Sequence, residues 1–130
     1  MLPRMTHYSR LSKIVIDVAP ADHDAEAAFW AAATGKPLTR FEQFPEYHGA
    51  EITEHVGLLI QKLEDGASRV HVDIHTDDLE AEVKRLESLG AQRVTQNHLW
   101  QVMRDPAGLV FCVIPDPPGR LDDSNATRWD

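Results

Sequence analysis

Residues 70–90 read VHVDIHTDDLEAEVKRLESLG and predict a strand followed by a helix. Valine and isoleucine alternate with polar residues over 70–75, which is the period of a strand with one buried face. Four apolar side chains then recur on one helical face over 78–89: Leu79, Val83, Leu86 and Leu89. Asp77 can cap this helix, with Glu80 three residues later, and Gly90 supplies its stop.

The same order occurs earlier in the chain. Residues 13–18 alternate around Ile14, Ile16 and Val18, and an alanine-rich helical segment covers 22–34. Residues 57–63 align with residues 108–114 without a gap, and each half has room for two further strands before this one. The chain therefore predicts two βαβββ modules, about 12–63 and 69–114, in a single α+β domain over 1–115.

Composition excludes several classes of partner. The 130 residues carry 13 basic and 21 acidic side chains, a net charge of −8, which disfavours nucleic acid and anionic membrane surfaces. One cysteine cannot form an internal disulfide, so we expect a cytoplasmic protein. The polar, proline-rich segment 116–130 is predicted to be an extended or disordered tail, with Trp129 as its candidate anchor.

The doubled module resembles the vicinal oxygen chelate superfamily, which includes glyoxalase I, bleomycin-resistance proteins and extradiol dioxygenases. Three features carry the resemblance: Ile16-Asp17-Val18 with Phe29-Trp30, Val70-His71-Val72-Asp73, and the run W-x-V-M-x-D-P-x-G-x-x-F-x-V that begins at Trp100. It is closest to the small glyoxalase-like domain proteins and covers about residues 12–115. It implies that the modules form a curved mixed sheet with a concave pocket face and with the helices on the outer face.

Metal-dependent members of that superfamily place one ligand on the first and one on the last strand of each module. The resemblance carries those positions to Val15, Gln61, His71 and Cys112. Only His71 is a good ligand, so we predict no bound cofactor and regard a divalent metal at His71 as the less favoured alternative. Neither final strand supplies the ligating carboxylate that would act as base in glyoxalase I, and we reject that activity.

The resemblance turns one face of each first strand toward the pocket. The catalytic candidates on it are Asp17, His71 and Asp73, although both aspartates are equally explained as hydrogen-bond acceptors that fix the sheet. The ligand-binding candidates are Trp30, Gln61, His75, Trp100 and Cys112. Trp30 is also explained by packing of the helix on the sheet, as is Phe29, and Cys112 by burial as a small apolar side chain. No role follows for His48 and His55, which are placed in a pocket-rim loop, or for His98.

Two hypotheses remain for the function. The first is a metal-free isomerase or lyase that uses acid–base residues on a small molecule. The second is a binding protein that sequesters a ligand in the manner of bleomycin resistance and performs no chemistry. We expect a homodimer in either case, because exposed strand edges favour association.

Overall fold

The computed structural model describes residues 6–42 and 47–130. Its elements follow one another in the order β1 His7–Val18, a 3₁₀ turn Pro20–Asp22, α1 His23–Thr34, β2 Thr39–Arg40, β3 Tyr47–Glu51, β4 Gly57–Lys62, β5 Arg69–Thr76, α2 Leu79–Ser88, β6 Gln92–Asn97, β7 Trp100–Arg104, β8 Val110–Pro115 and β9 Thr127–Trp129. A strand, a helix and three strands occur twice in this order. The α+β class and the doubled module are confirmed. No helix in the described ranges is long and apolar enough to cross a membrane.

The first compact unit comprises Lys13–His71. Its strands lie in the order β2-β3-β4-β1, with β1 parallel to β4 and the other pairs antiparallel. The predicted stripe of β1 is buried: Ile16 and Val18 form a core with Leu58 and Ile60, and Ile14 packs against it. Side chains of α1 pack against this core, so the helix covers this face of the unit.

The second unit comprises the residues up to Ser12 and Val72–Asp130. Its strands lie in the order β5-β8-β7-β6, with β5 parallel to β8. Helix α2 covers β7 and β8 and forms a core of Val83, Leu86, Met103, Phe111 and Val113. Val72 and Ile74 pack against this core as predicted, but Val70 is 62% exposed because it precedes the stretch of β5 that contributes to the core.

The ends of α2 follow from local hydrogen bonds. Asp78, and not Asp77, caps the helix: its carboxylate accepts from the Ala81 amide at 3.1 Å. Asp77 instead accepts from the Tyr8 amide at 2.8 Å, which removes it from the cap. Gly90 has φ +106°, a conformation that residues with a Cβ rarely adopt, and it ends the helix as the sequence predicts.

Helix α1 departs from the sequence interpretation. Trp30 packs against the core of the first unit and donates to Glu26, but Phe29 is 58% exposed and meets Trp30 edge-on. The expectation that Phe29 packs on the sheet is wrong. Alanine side chains bury little apolar area, so this helix contacts the sheet through only one side of its surface. Phe29 lies on another side.

The C-terminal segment runs along the second unit. Thr127–Trp129 pairs antiparallel with His7–Ser9 of β1, and Leu121 is buried. The Trp129 indole donates to the Ser9 hydroxyl at 2.8 Å, and the Arg85 guanidinium lies 3.8 Å from its ring centroid. Trp129 thus contacts both β1 and α2.

A buried ionic cluster joins α2 to the start of β1. Glu82 is fully buried, and its carboxylate accepts from His7 Nε2 at 2.8 Å and from two Arg85 nitrogens, each at 2.8 Å. Burial raises the pKa of Glu82, but the hydrogen bonds from Arg85, His7 and Ser9 outweigh it and hold that pKa below its usual value of 4.5. The carboxylate is therefore ionised inside the fold at neutral pH.

Candidate active site

Asp17 lies on the face of β1 opposite the apolar core. Ile16 and Val18 point to the core, so Val15 and Asp17 point to the other face, since alternate strand residues do. Asp17 is 2% exposed although it carries a carboxylate. Its neighbour in register on β4 is Gln61, which in turn faces Tyr47 on β3. The first unit thus presents a polar row of Tyr47, Gln61 and Asp17.

His71 contacts Asp17 directly. Nδ1 of His71 lies 2.6 Å from Oδ2 of Asp17, and both side chains are largely buried. Because an ionised carboxylate only accepts hydrogen bonds, Nδ1 carries a proton and donates it in a hydrogen bond to Asp17, and Nε2 is the ring nitrogen that can exchange a proton with a substrate. Arg69 Nε lies 3.6 Å from the same oxygen and supplies a positive charge beside the buried carboxylate. A carboxylate that orients an imidazole is the arrangement of a general base.

Asp73 and Cys112 lie in the second unit on the face opposite α2. They are register partners on β5 and β8, and Cys112 also faces Val102 on β7. Asp73 is buried at 6% exposure and Cys112 is half-buried. Asp73 and Cys112 each offer an atom that can bind a metal ion, and they lie side by side on β5 and β8.

The remaining candidates are dispersed. His75 Nδ1 donates to Asp116 Oδ1 at 2.9 Å, at the far end of β5. Trp100 is half-buried on the same strand face as Val102, with the His98 ring 5.1 Å away between centroids. Trp30 packs on the core face, and so the structure does not bring it to Asp17. His48 lies in strand β3 and not in a loop, whereas His55 is exposed in the turn before β4. Residues 43–46 of the expected rim loop fall outside the described residues.

The family profile of the glyoxalase-like domain matches residues 13–114, most of the chain. The chain belongs to the glyoxalase-like domain family. The match spans both βαβββ modules from β1 to the end of β8, so the predicted membership of the vicinal oxygen chelate superfamily is confirmed. No curated protein is a significant match to this sequence.

Solved structures show the same fold at low identity. Methylmalonyl-CoA epimerase from Mycobacterium tuberculosis is 16% identical with a TM-score of 0.57, over 82% of this chain and 88% of its own. A methylmalonyl-CoA epimerase variant from Streptomyces coelicolor, in complex with 2-nitronate-propionyl-CoA, is 14% identical with a TM-score of 0.55, over 84% and 98%. A putative dioxygenase from Bacillus subtilis is 16% identical with a TM-score of 0.56, over 90% of this glyoxalase-like chain but 44% of its own.

The superfamily's four metal positions do not fit a metal in this glyoxalase-like chain. Val15 has no donor atom and is buried, and Gln61 offers only a neutral amide beside Asp17. His71 already donates Nδ1 to Asp17, which leaves Nε2 as the nitrogen able to bind a metal. Asp73 lies outside the four positions and is an additional donor beside Cys112.

Two site residues escaped the sequence interpretation. Arg69 lies two residues before His71 on β5 and so shares its strand face, a signal that the alternation already contained. Asp116 follows β8 in the segment interpreted as a tail, and only the structure places it beside His75.

Proposed function

We propose that this chain is a small-molecule enzyme that transfers protons, as an isomerase or lyase, with His71 as acid–base group. The observation that carries the proposal is the 2.6 Å hydrogen bond from His71 Nδ1 to the buried Asp17 carboxylate. Asp17 orients the ring and stabilises the imidazolium that forms when Nε2 accepts a proton. Arg69 places a positive charge 3.6 Å from the Asp17 carboxylate.

The chemistry best suited to this pair is proton removal from a carbon next to a carbonyl group. His71 Nε2 takes the proton, and the same imidazolium or a second acid returns it. Asp73, two residues further along β5, is the second acid–base candidate. The proposal assigns no step to a metal ion. Structural similarity to methylmalonyl-CoA epimerases makes an acyl thioester a rational first test substrate, since an epimerase inverts one carbon centre.

Solvent-exchange NMR tests the proposal. Methylmalonyl-CoA and a set of small 2-oxo acids are incubated with the protein in D₂O, and loss of the carbon-bound proton signal is followed. We expect exchange into at least one compound, abolished by His71→Gln and slowed about 100-fold or more by Asp17→Asn. His55→Gln is the matched control, because His55 is exposed and carries no role in the proposal. Proton exchange that persists in His71→Gln contradicts the proposed role of His71.

The alternative is a ligand-sequestering protein. The half-buried Trp100 ring, beside His98 and opposite α2, favours it because an aromatic face can stack on a ligand without any chemistry. This reading predicts that a metabolite raises the thermal unfolding temperature without proton exchange. Its binding would be weakened by Trp100→Ala and left unchanged by His71→Gln.

A further inference from the structure

Two histidines of the first unit form a cluster that the proposed function does not use. His23 is the first residue of α1, and His48 lies in β3. Their ring centroids are 4.9 Å apart at an interplanar angle of 57°. His23 is 5% exposed, so its imidazole is among the most buried polar groups of this unit.

Each ring buries a nitrogen that lacks a hydrogen-bond partner. Nε2 of His23 and Nδ1 of His48 are inaccessible to solvent, and no residue in the described ranges accepts from or donates to either atom. A buried polar atom without a partner costs about 1–3 kcal/mol, so such atoms normally have one. Because the two rings are neighbours, a single ligand between them could bind both of these unpartnered nitrogens.

The protonation of the pair suits a metal ion. Nδ1 of His23 lies 3.4 Å from Oδ1 of Asp24, and a carboxylate on one ring nitrogen directs the lone pair to the other, here Nε2. Burial lowers the pKa of His48. His48 is therefore neutral at pH 7, which is the form that binds metals.

We propose that His23 Nε2 and His48 Nδ1 bind a divalent transition-metal ion, at a site separate from His71, Asp73 and Cys112. Imidazole nitrogen is a ligand that suits Zn²⁺, Ni²⁺ and Cu²⁺. Arg40 and the positive end of α1 oppose a cation here, so we expect a weaker site than one with three protein ligands.

Imidazole NMR of the unmutated protein tests the site directly. Long-range ¹H–¹⁵N spectra assign each ring nitrogen, and Zn²⁺ is added in steps. We expect a saturable change at Nε2 of His23 and Nδ1 of His48, independent of any change at His71. The proposal is overturned if Zn²⁺ changes only the His71 signals, or if the signals of His23 and His48 show no saturable change.

Variants give the second measurement. His71→Ala removes the one good ligand among the superfamily's metal positions, and calorimetry in that background counts the remaining Zn²⁺. We expect one equivalent, lost on adding His23→Gln or His48→Gln and retained on adding His55→Gln, with circular dichroism showing that all variants are folded. An equivalent that persists in both His23→Gln and His48→Gln contradicts the assignment.

Discussion

Replacing Glu82 by Gln tests whether the buried ionic cluster stabilises the fold. The carboxylate is fully buried and accepts three hydrogen bonds at 2.8 Å from His7 and Arg85. Gln keeps the size but loses the charge and places an amide NH₂ against donors. Hydrogen bonds to charged groups contribute about 1.5–3 kcal/mol each, and breaking a buried ion pair costs about 3–5 kcal/mol. Because Gln retains one acceptor, we expect Glu82→Gln to lower the free energy of unfolding by about 2–4 kcal/mol at pH 7.

The sign of its pH dependence follows from the lowered pKa of Glu82. A carboxylate whose pKa is depressed by folding contributes stability that is full above its unfolded value of 4.5 and is lost as pH falls through the folded value. The difference between wild type and Glu82→Gln should therefore be largest at neutral pH and shrink as the pH falls below 4.5. Urea denaturation followed by circular dichroism at several pH values measures it.

Glu80→Gln is the matched control. Glu80 lies on the same helix, but its side chain is 62% exposed and meets Arg93 and Lys84 at the surface. Exposed ion pairs contribute about 0–1 kcal/mol, so this variant should resemble the wild type at every pH. Equal destabilisation by the two substitutions, or a Glu82→Gln effect that persists unchanged at acid pH, would refute the reasoning.

Three further outcomes are expected. Met103→Ala should lower the free energy of unfolding by about 2–5 kcal/mol in urea titrations, because Met103 is fully buried in the α2 core, and an effect near zero would contradict that core. Light scattering should give twice the 14.6 kDa of one chain; a monomer at micromolar concentration would exclude the homodimer. Elemental analysis of untagged wild type and His71→Ala should give equal transition-metal contents, whereas a stoichiometric metal lost in His71→Ala would restore a metalloenzyme.

Periodicity was sufficient for the fold because each strand and helix of the repeat has one apolar face. Ile16 with Val18 and Val72 with Ile74 enter the two cores as their alternation predicts. The same alternation placed Asp17 and His71 on polar strand faces, but their mutual hydrogen bond depends on a pairing between distant segments, which alternation alone does not specify. The predicted burial of Phe29 is wrong for the opposite reason. An alanine-rich helix has no apolar stripe strong enough to determine which side is buried.

His23 could not be identified from its sequence context. It opens a helix among aspartates and alanines, where a polar residue is normally solvated, yet it is buried with the His48 ring of β3 beside it. Asp78 and Asp77 illustrate the same limit on a smaller scale. Either could cap α2. Asp78 does so because Asp77 accepts a hydrogen bond from the Tyr8 amide, which is 69 residues away in sequence.

We propose that His71, oriented by Asp17, transfers protons. The most direct test compares deuterium incorporation into methylmalonyl-CoA and the 2-oxo acid set by wild type, His71→Gln and His55→Gln under identical conditions. We expect exchange by wild type and His55→Gln and none by His71→Gln, with all three proteins folded. Equal exchange by His71→Gln and wild type would contradict it, as would a tightly bound compound that wild type never exchanges.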